Sequence, residues 1–558
     1  MTNLWEFASI DFDGLSSSKL WRPLSILLPI AAFLLLVAML AYPFGYDQST
    51  FSVAGERVAR LGAVPYRDFI DTKPPIIFYI YALNYVIFGH HFWSIRAFDL
   101  VYMLFTAWYF RRLIMRWSAS NVLASIAQFL LVLHYASSGY WMTAQCESFA
   151  FLPTLVLINF AMQSLQAGLN KKQLMLLGAG IGLLAQFLFL LKFTLIAAPI
   201  AVGVWMLLSA KKEKTRDVFM VLGIAVLTFL LSSIGYVGWM VAIGGYDRMM
   251  EALRWLQGYA AIEPHWSTNA LSLYYQRFPS NYVLAFSFTL SLIGFLGLVM
   301  ALGPERNESV AKPPRSQFFN LIVLVQLLSL AGVLYEKKFF LYHFGRAFIT
   351  ESIVEALAIL AIIPFVVYLW RKIREVPAWI SRTAGYAIAI LATVAILFFS
   401  SFSGIASQTL TWLWAKAQHV DVTERIQASI ERYYPYDQKR VAQFLNPRMA
   451  PSDQVFLWGN DQGLYFAMDR LSQTICLTNT PFATTWTPAS WKQTLLQQLQ
   501  HQPPRFIIVE WGDTRDYITD AESDSYHLIT RLPSLVDYIE ANYKPLATIG
   551  HFMIYEKK

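Results

Sequence analysis

Long apolar runs, broken by short polar hinges, fill the first two thirds of the chain. A bilayer-spanning helix needs about 17–25 such residues. Runs that approach or meet this length fall near 24–43, 95–113, 120–137, 147–163, 173–190, 192–209, 217–243, 281–302, 318–335, 345–370 and 382–402, which predicts eleven spans. The piece 74–89 (PPIIFYIYALNYVIFG) is too short and too rich in tyrosine for a full span, so it reads as a re-entrant or surface-lying helix. From about residue 405 the pattern turns soluble. QVFLWG (454–459), TICL (475–478), RFIIVEW (505–511) and HFMIYEK (551–557) read as strands, with helical patterns such as WKQTLLQQLQ and LPSLVDYIEANY between them. Strands alternating with helices predict a small α/β domain. The expected fold class is therefore a polytopic α-helical membrane protein. It has about eleven spans plus a re-entrant or juxtamembrane helix, and is divided into a membrane domain over 1–404 and an extracytoplasmic α/β domain over 405–558.

Basic residues orient these spans. With the N-terminus inside, the inner segments hold Lys19/Arg22, Arg111/Arg112/Arg116, Lys171/Lys172, KKEKTR (211–216), Arg306/Lys312/Arg315 and Arg371/Lys372/Arg374/Arg382. Every inner segment contributes, as the positive-inside rule requires. An odd number of spans leaves the C-terminus outside. The composition agrees: 56% hydrophobic and 14% charged residues exclude an ordinary soluble protein, and 16% aromatic residues suit interfacial belts. The first 22 residues lack the pattern of a cleaved signal, so the first apolar run is expected to stay. Cys146 and Cys476 are expected to remain unpaired. No glycine-rich phosphate loop, internal repeat or low-complexity tract is present.

The unusual polar residues gather on the outer face. Asp47 follows the first span directly, ahead of the polar helical stretch SVAGERVARLG. Lys73, in DTKPP, sits in the corner before a new helix, because proline suits a first helical turn and its predecessor avoids α geometry. A carboxylate there can take a proton and an ammonium can hold a phosphate; equally, both can be interfacial charges that snorkel to the headgroups. Glu147 opens a span in TAQCESF, either as an acid of the same site or as a helix N-terminal charge. Lys192 interrupts LLAQFLFLLKFTLIAAP, either marking a turn or offering a cation to a lipid phosphate. His343 and Arg346 lie in KKFFLYHFGR beside Lys337 and Lys338, a group suited to phosphate or to anionic lipid. Glu263 and His265 form only a weak metal pattern.

Taken together, these pieces resemble the GT-C superfamily of integral-membrane glycosyltransferases, in particular the bacterial branch with the aminoarabinose transferases and protein O-mannosyltransferases. The likeness runs from GYDQ through VPYRDFIDTKPPIIFYIYAL and SIRAFD to AQCESFAFLP, LLKFTLIAAP and YHFGR, and on into PSDQVFLWG and PPRFIIVEW. It implies Asp47 as catalytic base, Glu147 as a second acid, and Tyr66, Arg67, Lys73, Lys192, His343 and Arg346 as substrate-binding residues. Where the family often has a second acid beside the first, this chain has Gln48, so a divalent metal stays open.

The resemblance also implies the reaction: a sugar moves from a polyprenyl-phosphate donor to an envelope acceptor (lipid A, another glycan or a protein), with inversion and without a nucleotide. The expected partners are that donor, that acceptor and membrane lipids, with no nucleic acid. The expected place is a bacterial inner membrane, with the site and the C-terminal domain on the periplasmic side. Two rival readings are a polyprenyl-lipid transporter or flippase and an inactive relative that binds the lipid-linked sugar.

Overall fold

The computed structural model describes residues 21–262, 315–338, 340–373, 410, 412–429 and 432–558. The predicted spans 281–302 and 382–402, and the residues Glu263 and His265, lie outside the described residues. Among the described residues, five helices are long and apolar enough to cross a membrane: Pro23–Ala41, Cys146–Ser164, Lys171–Leu191, Lys212–Ala242 and Ser316–Glu336. Asn121–Ser137 and Phe193–Ser209 are apolar but shorter. Ser94–Ser118 is 25 residues long yet carries Arg96, Asp99, Arg111, Arg112 and Arg116.

Compact packing does not follow a single cut in the chain. One unit holds the described residues of Met1–Tyr42, Asp99–Ser232 and Asn269–Thr411; the other holds those of Pro43–Phe98, Ser233–Thr268 and Trp412–Lys558.

The first unit is helical. Trp21–Ala38 packs on Asn121–Ser137, which also packs on Phe348–Ile373. Ionisable groups buried in this unit are partnered, as an apolar interior demands. Tyr135 donates to Asp99 at 2.7 Å, and His134 Nε2 lies 2.7 Å from Glu355 Oε2. The helix Lys171–Leu191 starts on a reciprocal cap, with Asn170 and Gln173 each bonding the other's backbone at 2.9 Å. It stops at Lys192, whose backbone is extended (φ −163°, ψ 125°), so the lysine stands at a corner.

The second unit combines helices α1 (Tyr46–Leu61), α2 (Ile76–Phe88) and α3 (Tyr246–Ala261) with the C-terminal α/β domain. Helix α1 begins at Gly45 and ends at Gly62, whose left-handed φ of 64° closes the last turn. Pro74 and Pro75 precede α2, a helix of 13 residues. At 1.5 Å per residue it is about 20 Å long, short of the ~30 Å hydrocarbon layer. Packed on α1, it contributes Tyr81 and Phe78, whose rings lie 5.4 and 6.0 Å from Phe51.

The sheet has the order β1-β2-β4-β3, with β1 (Val455–Trp458) parallel to β2 (Phe506–Glu510). Strands β3 (Tyr543–Ile549) and β4 (Phe552–Lys557) complete it in antiparallel fashion. Every residue of β1 and β2 is buried, which suits strands covered on both faces. Helix α4 (Ala489–His501) supplies Trp491, Leu495 and Leu499 to this core, and α5 (Pro533–Asn542) supplies Leu535 and Ile539. The same core takes in Tyr66, Ile70 and Trp255 from distant parts of the chain.

TICL (475–478) forms no strand of the sheet. The Ile475 carbonyl instead accepts a 2.9 Å bond from the amide of Ile70, as an isolated bridge. Conversely β3 is a strand that the apolar pattern hides: most of it is exposed or half-exposed, and it carries Pro545 beside a bulge, as an edge strand tolerates.

Candidate active site

Asp47 is half-buried in the first turn of α1, at the positive end of the helix, where a carboxylate is favoured. The turn is secured by a 2.9 Å bond from the Ser49 amide to the Gly45 carbonyl. The loop after α1 is built around Tyr66, which holds a left-handed φ of 69°. Such a conformation is uncommon for a bulky residue and persists where the surroundings fix it. Here the Tyr66 amide donates to the Phe69 carbonyl at 2.8 Å, its ring sits in the core, and its hydroxyl donates to the Lys73 carbonyl at 3.1 Å. Lys73 is fixed a second time: its amide donates to Asp71 Oδ1 at 2.9 Å, the side-chain turn typical of Asp two residues upstream.

Asp71 is the acid of this loop that the sequence reading missed. Burial pushes its carboxyl up to about 6, opposed by the amide and charge of Lys73 and reinforced by the charge of Asp47. Asp71 therefore feels both Asp47 and Lys73. The signal was present in DTKPP, where an Asp two residues before a fixed corner is placed to cap it. Arg67, by contrast, is engaged by its neighbour, with a terminal nitrogen 2.7 Å from Asp68 Oδ2. Arg57 was also missed. Buried at 3% exposure, it donates to the carbonyls of Asp68 and Thr474 at 3.0 and 2.9 Å and so locks the loop to the C-terminal domain.

In the first unit the structure brings together Glu147, Lys192, His343 and Arg346, and adds Glu336. Lys192 Nζ lies 2.6 Å from Glu147 Oε1 and 2.9 Å from Glu336 Oε2. Arg346 reaches the same two carboxylates at 3.1 and 2.5 Å, and donates to Thr194 at 3.1 Å. His343 Nδ1 is 2.8 Å from Glu336 Oε2. Two carboxylates face two full cations, so the cluster closes its own charge. It is a buried ion cluster in which both cations hold Glu147 through Oε1.

Among the described residues, two trios of His, Cys, Asp or Glu bring ligand atoms within 4.8 Å of one another: Glu56/His90/Asp469 and Glu147/Glu336/His343. Asp47 belongs to neither, and its neighbour Gln48 is fully buried. In the second trio Glu147 Oε1 and both oxygens of Glu336 are taken by Lys192 and Arg346, while Glu147 Oε2 is buried without a hydrogen-bond partner among the described residues.

No protein-family model matches the chain, and no curated protein matches it. Solved structures do. The crystal structure of ArnT from Cupriavidus metallidurans bound to undecaprenyl phosphate aligns with a TM-score of 0.53 at 12% identity, over 97% of this chain and 98% of that one. ArnT in the apo state gives 0.52 at 11% identity over the same shares. The apo oligosaccharyltransferase of Archaeoglobus fulgidus gives 0.52 at 12% identity, covering 96% of this chain and 74% of that one. At 11–12% identity these alignments show a shared fold: over nearly the whole of its length the chain folds as these solved structures do.

Proposed function

We propose that this protein is a glycosyltransferase that moves a sugar from a polyprenyl-phosphate carrier to an acceptor at the outer face of the membrane. The observation that carries this reading is the likeness, over nearly the whole of both chains, to a structure solved with undecaprenyl phosphate. The acid–lysine loop supplies the chemistry. Asp47 takes the proton from an acceptor hydroxyl or amine as that atom attacks the anomeric carbon. The bond from that carbon to the phosphate oxygen breaks, the sugar inverts, and polyprenyl phosphate leaves. Lys73, whose backbone is held at both its amide and its carbonyl, offers its ammonium to the charge that develops on the leaving phosphate. Asp71 and Tyr66 hold that corner. Lys192, His343 and Arg346 brace the first unit, with Glu147 as their counter-charge. The acceptor class is an envelope lipid, glycan or protein, and the proposed place is the bacterial inner membrane with the site facing the periplasm.

The test is release of free polyprenyl phosphate from a panel of polyprenyl-phosphate sugars, with acceptor candidates present, in liposomes. Wild type is expected to consume at least one donor. Asp47→Asn should be slower by about 10²–10⁴-fold, the usual worth of a general base. Lys73→Ala should lose transfer while keeping its fold. Donors that bind and are never consumed would move the transporter or binding-protein reading to first place.

A further inference from the structure

The C-terminal domain carries a buried charge cluster at the carboxyl ends of its two parallel strands, the edge at which α/β sheets place their ligands and working residues. Asp461 follows β1, Glu510 ends β2, and Asp513 and Arg515 come just after it. Their exposures are 0%, 0%, 1% and 5%. Backbone and amide donors organise the acids. Glu510 Oε2 accepts from the amides of Asn460 and Asp461 at 2.6 and 3.0 Å. Asp461 Oδ2 accepts from the Tyr434 amide at 2.9 Å and from Gln438 at 3.0 Å, and Asp513 accepts from Asn460 Nδ2 at 3.0 Å. Fixing so many buried acids is costly for a domain that merely fills space.

The cation of this cluster does not point away from the candidate chemistry. The Arg515 guanidinium lies 4.2 Å from the centre of the Tyr46 ring, within cation–π range. Tyr46 is the first residue of α1 and the direct neighbour of Asp47. The same ring meets Tyr433 edge-on at 6.4 Å, and the Tyr433 hydroxyl donates to the Phe44 carbonyl at 2.9 Å. Two residues of the C-terminal domain therefore grip the chain just before Asp47, one by its ring and one by its backbone.

We propose that Arg515 is a positioning residue: seated among the carboxylates behind β1 and β2, it holds the Tyr46 ring and through it sets the orientation of Asp47. This rests on the reading of Asp47 as the base. It gives the C-terminal domain a task in the reaction itself.

The experiment measures kcat, donor KM and amide hydrogen exchange for wild type, Arg515→Met, Arg515→Lys, Tyr46→Leu and the Met–Leu double variant, all as full chains in liposomes. A small misplacement of a reacting group can cost about a hundredfold. Arg515→Met is therefore expected to lower kcat by about ten- to a hundredfold with donor KM unchanged, and Arg515→Lys to recover part of it. The double variant should lose no more than either single one, because both act through the same contact. An unchanged kcat in Arg515→Met, or a parallel loss of kcat, donor affinity and thermal stability, overturns the proposal. If wild type transfers no sugar, the functional reading has failed, and exchange at Ser49 then decides the positioning claim. Faster exchange there in Arg515→Met, with β1 and β2 unchanged, supports it; equal exchange refutes it.

Discussion

Glu336 shows what a single side chain can decide. It meets Lys192, His343 and Arg346 and accepts from Thr194, while Glu147 shares the two full cations. Removing one member of a buried ion cluster leaves charge without compensation, at a cost of about 3–5 kcal/mol. Glu336→Gln is expected to lower the melting temperature in detergent well beyond the effect of an exposed Glu→Gln change. An unaltered melting curve would show that the cluster is not holding the first unit together. At this scale the sequence was informative about charges that interrupt apolar runs. Glu147, Lys192, His343 and Arg346 stand out one by one. Glu336 did not, because it reads as the start of the basic run EKK. Its partners Lys192 and Thr194 lie 144 and 142 residues away, and no local pattern records them.

Between α1 and α2 the decisive position is a missing side chain. A Cβ built on Gly55 would lie 2.6 Å from the backbone of Tyr81 and of Ala82, which cannot swing aside as a side chain could. Gly55→Ala must therefore push the two helices apart, against the gain of helix propensity that alanine normally brings. The expected result is a lower melting temperature and reduced transfer, whereas a stabilised variant would mean that the helices do not approach so closely. The existence of α1 and α2, and of β1, β2 and β4, was readable from period and turn residues. Strand β3 was not, because its side chains face water and no alternation marks it. TICL looked like a strand for the opposite reason: it is apolar and buried, but its backbone partner is Ile70.

Segments far apart in the chain also meet in a contact that responds to acidity. His90 Nδ1 lies 2.8 Å from Glu56 Oε2, and its Nε2 lies 3.0 Å from the Phe466 carbonyl, with the rings of His90 and Phe466 stacked at 3.9 Å. Both partners are acceptors, so the imidazolium form alone serves both. Burial opposes that charge, but the carboxylates of Glu56 and Asp469 outweigh it, and His90 titrates above its ordinary value; Arg60 is the other charged group beside Glu56 and Asp469. A histidine raised in the folded state adds stability that is complete below its ordinary value of about 6.5 and fades as the pH climbs through the raised value. The melting temperature of wild type should fall over that window, and His90→Gln should flatten the fall. Equal slopes would dissolve the contact's claim to matter.

At the coarsest level the architecture was legible, since apolar runs and the switch to strand periods mark a helical part and a C-terminal sheet; of the eleven expected spans, five appear among the described residues as helices long and apolar enough to cross a membrane. The division into compact units was the least legible. Tyr66, Ile70, Trp255, Phe456 and Trp458 share one core although they come from three separate stretches of the chain. That shared core has a consequence for biosynthesis. The loop that carries Lys73 leaves the ribosome early, yet the strands that bury Tyr66 and Ile70 arrive only with the last part of the chain. At ~5–20 residues per second the wait is on the order of a minute. Through that interval the nascent loop must be sheltered by the insertion machinery or a chaperone. A chain cut before β1 would leave the cell with an unfinished loop to degrade, not a smaller folded protein.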